Sequence, residues 1–274
     1  MARGVYSSSN HFRLATGVIT SMPLTMACWI NPSAFTATRF VLGLTSSNAA
    51  PDGWGLRINQ TTGVLNAVSY AAGANSSAAG ASACSAGVWN HIAGVYPSAT
   101  SRFAYANGAV GSENATSRTP ASAIDKTSIG CLVYSSNTIY QSATEDTLAE
   151  VGFWNVALTA ADMLQLAAGY SPLFVKPESL VAYYPLIRGD ASGDEPDLIG
   201  GAKMVEQGTV AVQNHAPVRY FNARARWLSA GTINYSILVQ DCWHSNYSDG
   251  PVVPGNVDPS ENAPYYRNIP GRRV

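Results

Sequence analysis

Ser101-Arg102-Phe103-Ala104-Tyr105-Ala106-Asn107-Gly108-Ala109-Val110-Gly111-Ser112 sets an Asn-Gly pair between two strand-like runs. Asn-Gly is a strong short hairpin signal, because a type I′ turn needs positive φ at both central residues. Working outward, the same period-2 pattern fills most of the first 156 residues. Leu24 to Asn31 alternates, with Thr25, Ala27, Trp29 and Asn31 on the face opposite Leu24, Met26 and Ile30. Trp54 to Asn59 and Val64 to Tyr70 are joined by Gln60-Thr61-Thr62-Gly63 and read as a second hairpin. Further strands are expected at 88–96, 127–134 and 147–155. The low-complexity stretch Ala71 to Gly87 reads as a small-residue loop. Short strands at regular spacing indicate a sandwich or barrel and not βαβ units.

The chain has 274 residues and is 46% hydrophobic, enough for a substantial core. Only 12% of it is charged, about half of the roughly 25% usual in soluble domains. Ala, Ser, Thr, Asn and Gly fill the gap. A net charge of −1 excludes a nucleic-acid binder working by bulk electrostatics. No stretch approaches the length of a membrane-spanning apolar run. The start, Met1 to Tyr6, lacks an apolar signal core, so no signal peptide and synthesis in a host cytoplasm are expected.

One helix stands out: Thr159 as cap, Asp162 three residues on, Met163, Leu166 and Ala167 as an apolar stripe, and Gly169 closing it. Cys28, Cys84, Cys131 and Cys242 form no CxxC pair; Cys28 reads as a buried free thiol. An apolar run at 180–187 is followed by a Gly/Asp loop. From about Ser245 the chain is rich in Pro, Gly and Asn. The expected organisation is a sandwich over 1–178, a trailing segment over 179–244 that packs on or extends it, and an extended arm over 245–274.

Four ordered motifs resemble those of laminin-G-like, concanavalin A-like jelly-roll domains. They are Leu24-Thr25-Met26-Ala27-Cys28-Trp29-Ile30-Asn31-Pro32, Trp89-Asn90-His91-Ile92-Ala93-Gly94-Val95-Tyr96, Tyr105-Ala106-Asn107-Gly108, and Leu148 to Thr159. Ala149 stands where that family usually has Asp. The resemblance implies an all-β jelly-roll sandwich with one short helix and, here, an extended C-terminal arm. The family spans lectins, adhesion modules, glycanase relatives and virus structural proteins, so fold alone leaves function open. Leu180-Val181-Ala182-Tyr183-Tyr184-Pro185-Leu186 and Asn214 to Tyr220 are similar to the segment that follows the jelly roll in phage-encoded members.

Catalysis by paired acids fits poorly. Glu145 and Asp146 point to opposite faces of a strand; Asp146 and Glu150 share one, but Leu148 lies between them where glycanase relatives carry an acid. Glu150 is expected to bond loop backbone groups. His11, His91, His215 and His244 have no metal-ligand spacing, and His91 reads as a packed structural residue. Asp190, Asp194, Glu195 and Asp197 form the densest acidic stretch. It reads either as turn chemistry or as a cation site. No cofactor is expected; calcium lacks a clear ligand cluster. Trp54, between Gly53 and Gly55, reads either as an exposed sugar-stacking platform or as packing, and Tyr134 and Tyr140 flank a Ser/Asn loop.

The expected function is that of a non-enzymatic virion surface protein, decorating a phage capsid or associated with its tail. Its partners are other virion subunits and further copies of itself, without nucleic acid or membrane. Val252, Val253, Tyr265, Tyr266, Ile269, Arg272 and Arg273 would dock the arm on a neighbour. The alternative is a glycan-binding adhesion module using Trp54, Tyr134 and Tyr140.

Overall fold

A computed structural model describes residues 1–143, 145–188 and 193–218. In chain order the strands are β1 (Ala2–Gly4), β2 (His11–Leu14), β3 (Leu24–Asn31), β4 (Arg39–Thr45), β5 (Gly53–Ile58), β6 (Val64–Ala71), β7 (Ala74–Ala83), β8 (Asn90–Ser98) and β9 (Ser101–Ala106). There follow β10 (Ala109–Val110), β11 (Lys126–Ile129), β12 (Cys131–Tyr134), β13 (Thr138–Ser142), β14 (Thr147–Trp154), β15 (Leu180–Tyr184), β16 (Val205–Gln207) and β17 (Ala211–Gln213). The first sheet runs β10-β9-β8-β3-β14-β1-β17, with β15 added on β14. The second runs β16-β2-β11-β4-β5-β6-β7, and β12 and β13 form a separate hairpin. All of these pairings are antiparallel. The result is a mostly-β jelly-roll sandwich with one short helix, as the alternation requires.

Strand parity builds the core. Leu24, Met26, Cys28 and Ile30 of β3 point inward against Leu42, Leu44, Trp54, Leu56 and Ile58 of the second sheet. The opposite face of β3 is also covered. Ala27 packs in a cluster with Trp154, Met163 and Leu166 under the helix, and Trp29 in one with Ala216 and Val218. The helix, α1 (Ala160–Ala167), begins in a capping box: Thr159 Oγ1 accepts from the Asp162 N–H, and Asp162 Oδ2 accepts from the Thr159 N–H. Asn107 and Gly108 have φ of 51° and 82°, the left-handed pair a type I′ turn needs.

Two local expectations are corrected. The stretch expected as a loop holds β7, paired along its length to β6. Its Ala, Ser and Gly side chains have weak strand preference but permit a close approach: a Cβ on Gly111 would lie 1.8 Å from the Ala79 carbonyl oxygen. Residues 127–134 are two strands, not one. The chain turns at Gly130, at φ 82°, where a Cβ would lie 2.0 Å from the buried Tyr6 ring. Beyond the helix, β15 pairs with β14, β16 with β2 and β17 with β1, so both sheets gain strands from residues 180–213. Among the described residues no helix is long and apolar enough to cross a membrane.

Candidate functional site

Alternation along β5 sends Trp54, Leu56 and Ile58 into the core and Gly53, Gly55 and Arg57 to the outer face of the second sheet. Trp54 is only 1% exposed, which overturns the reading of it as an exposed platform. Its flanking glycines serve other neighbours: a Cβ on Gly53 would lie 2.1 Å from the Leu44 carbonyl oxygen. A Cβ on Gly55 would stand 3.0 Å from Phe40, so the glycine makes room for that ring against β5.

That outer face carries an aromatic cluster. Register places Phe40 opposite Arg57, Arg57 opposite Asn66, Val68 opposite Ser77, and Tyr70 opposite Asn75, all on one side. Phe40 and Tyr70 lie 6.2 Å apart by ring centroid. Leu132 of the β12–β13 hairpin packs with them and Val68. Tyr140 is the extra residue of a β-bulge, since Leu132 pairs with Gln141 and Val133 with Ile139. Bulges re-aim side chains. Here the Tyr140 ring stands 6.0 Å from Phe40 and 5.9 Å from Tyr134, the latter nearly edge-on at 75°, while remaining 46% exposed. Burial pushes the Tyr70 phenol up to about 12, with the adjacent Arg57 guanidinium pulling it back and Tyr140 adding to the rise. Ser77 Oγ donates to Asn66 Oδ1 at 3.3 Å. The face therefore offers ring faces bordered by hydroxyl, amide and guanidinium groups. Of the sequence-predicted residues, Tyr134 and Tyr140 come together here, while Trp54 lies on the other side of the sheet. Phe40, Tyr70 and Arg57 had no sequence motif; only counting parity from Trp54 would have found Arg57.

A second polar cluster lies on the first sheet. Glu150, at φ 57°, sits in a bulge of β14 between Ala149 and Gly152. It is 2% exposed. It accepts a hydrogen bond from the Tyr183 hydroxyl at 2.6 Å and lies 3.2 Å from His215 Nε2. These side-chain partners come from β15 and from the segment after β17. Asp146 faces other partners: Arg39 at 2.5 Å and the Ser33 N–H at 3.1 Å. Burial pushes its carboxyl up to about 6, against the pull of Arg39 and that N–H. His91 is buried edge-on to Trp29 at 5.6 Å, and burial lowers its pKa to about 3.

The acidic loop is committed to the chain's own donors. Asp194 Oδ1 accepts from the Glu206 N–H, Glu195 pairs with Arg3 at 2.5 Å, and Asp197 Oδ1 accepts from the N–H groups of Tyr183 and Ile199. These carboxylates do not converge as a calcium cage, and no group of three His, Cys, Asp or Glu suited to a metal occurs among the described residues. Asp190 and His244 lie outside the described residues, as do Val252, Val253, Tyr265, Tyr266, Ile269, Arg272 and Arg273 of the arm.

A family model for the concanavalin A-like lectin/glucanases superfamily matches residues 6–163. The chain belongs to that superfamily. No curated protein matches it in sequence. Among solved structures it is similar to the native heptameric SAP-like pentraxin of Limulus polyphemus, with a TM-score of 0.56 and 15% identity over 77% of this chain and 95% of that one. It is also similar to a Bacteroides ovatus protein provisionally described as carbohydrate-binding, at a TM-score of 0.56 and 20% identity over 80% of this chain. It spans 61% of that second protein. At these identities the likeness is one of fold.

Proposed function

We propose that this protein is a non-catalytic glycan-binding module whose ligand lies across the outer face of β5 and β6 beside the β12–β13 hairpin. The observation that carries this reading is Tyr140, exposed on a bulge above the buried Phe40 ring and braced by Tyr134. A saccharide needs an apolar ring face with hydroxyl and amide partners around it, and this surface supplies both. Superfamily membership and the likeness to a protein described as carbohydrate-binding support the same reading. The non-catalytic part rests on the acids, since Asp146 is engaged by Arg39 and Glu150 by Tyr183 and His215. Single sites of this open kind gain avidity from repetition, and the fold likeness to a heptameric pentraxin supports a homo-oligomer as part of this reading. A glycan array probed with the full chain and with Tyr140→Ala tests the reading: discrete glycans bind the former, and the same glycans lose signal with the latter. Absence of binding to every glycan refutes it.

Docking on a virion stands second. Its support is the Pro-, Gly- and Asn-rich composition of residues 245–274, read from the sequence. Deletion of 245–274 would then abolish incorporation into particles while the sandwich stays folded, and full incorporation of the truncated chain would end that reading.

A further inference from the structure

Five arginines on the strands of the two sheets are buried or half-buried, and the three fully buried ones are held by several partners of the chain's own. Arg3 pairs with Glu195 and donates to the Val210 carbonyl. Arg39 pairs with Asp146. Arg102 donates to Ser76, Asn114 and the carbonyls of Ala99 and Thr116. Arg57 differs from those three in lying on the aromatic face with no carboxylate beside it among the described residues. It sits half-buried in the middle of β5, on the aromatic face, with Phe40 on one side and Asn66 on the other. Among the described residues no carboxylate pairs with it, and its Nε is shut off from solvent without a hydrogen-bond partner. Its guanidinium lies against the Tyr70 phenol, a group that stays protonated at neutral pH and so leaves the charge uncompensated.

A cation in the centre of a sheet costs desolvation that an acidic neighbour would normally offset. Among the described residues none is present, and the neutral Tyr70 phenol that the guanidinium bonds leaves its charge unneutralised and available to a ligand. A guanidinium presents a planar fork that takes two oxygens of a carboxylate or sulfate at once. The exposed Tyr140 ring, tilted against the buried Phe40, supplies a surface for the sugar ring that bears such a group. The net charge of −1 gives no general attraction for polyanions, so any preference for acid must come from a local contact. We infer that the outer face of the second sheet selects acidic saccharides, with Arg57 receiving the carboxylate or sulfate of a sugar whose ring lies on Tyr140. This rests on the glycan-binding reading and narrows its substrate class.

The test uses the full-length chain, its Arg57→Gln variant and its Arg57→Lys variant. Each is titrated with three probes: a uronate-containing oligosaccharide, the same oligosaccharide with its carboxyls reduced to alcohols, and a sulfated oligosaccharide. The wild-type chain binds the uronate or the sulfated probe at least about tenfold more tightly than the reduced one. Which acid wins distinguishes the two sources of negative charge. Arg57→Gln, shown folded by an unchanged near-UV spectrum, loses that preference but keeps binding to the reduced probe. Arg57→Lys retains charge without the fork and recovers only part of the preference. Equal binding of acidic and reduced probes, or a preference that survives Arg57→Gln, overturns the inference and leaves the glycan reading standing. Failure of every saccharide, on these probes and on the array, overturns the glycan reading itself.

Discussion

Lowering the pH from 7 to 5 should destabilise this fold through His91, and the size of the effect follows from its burial. The imidazole is 1% exposed, packed edge-on to Trp29, with Nδ1 unpartnered, and burial lowers its pKa to about 3 from an unfolded value near 6.5. Below about pH 6.5 the unfolded chain takes up a proton that the folded one refuses, so stability falls with pH until the folded pKa is reached. At pH 5 this amounts to about 2 kcal/mol relative to pH 7, at about 1.4 kcal/mol per pH unit. Asp146 acts in the opposite sense. Its carboxyl is raised to about 6, so its protonation favours the folded state as pH drops through that value. His11, lowered to about 4, adds to the His91 effect. A comparison with His91→Gln cancels both. Urea denaturation of the two chains at pH 7 and pH 5 should show the wild type's advantage over His91→Gln shrinking by about 2 kcal/mol. A stability difference that is the same at both pH values would refute the reasoning.

Other substitutions probe the core that positions the site. Trp54→Ala should cost about 3–5 kcal/mol in urea denaturation, with glycan binding intact at temperatures where the variant stays folded; loss of binding by the folded variant would return Trp54 to the site. Trp54→Phe should cost less than Trp54→Ala, because the indole Nε1 has no hydrogen-bond partner to lose. Arg39→Met leaves Asp146 buried beside no cation and should cost about 3–5 kcal/mol, while Arg39→Met with Asp146→Leu should recover part of that loss. A double variant no more stable than Arg39→Met alone would contradict the pairing.

Most of the sandwich could be read from the chain because each face of a strand is set by parity. The Leu24–Asn31 alternation, the Asn107-Gly108 turn and the Thr159–Asp162 box are local, and each appears as expected. Features governed by distant contacts were not legible. β7 is a strand because β6 pairs with it and β9 and residues 111–114 approach it, not because Ala, Ser and Gly favour extension. Trp54 between two glycines left exposure and packing both open; it packs, and Gly55 makes room for Phe40, a ring from the neighbouring strand. The bulges at Tyr140 and Glu150 carry no sequence signature, yet the first aims the ring that the proposed site depends on and the second turns Glu150 toward Tyr183 and His215. Tyr134 and Tyr140 were visible as aromatics beside a loop, but their partnership with Phe40, Tyr70 and Arg57 exists only once three strands and a hairpin are assembled.

The central claim is that the Tyr140 face holds the ligand. Titration calorimetry with the strongest array ligand, on the wild-type chain and on Tyr140→Ala, tests it most directly. Loss of an exposed ring that carries a ligand contact should weaken binding by about tenfold or more, with the urea midpoint nearly unchanged because Tyr140 is 46% exposed. Equal affinity of the two chains for that ligand would contradict the claim.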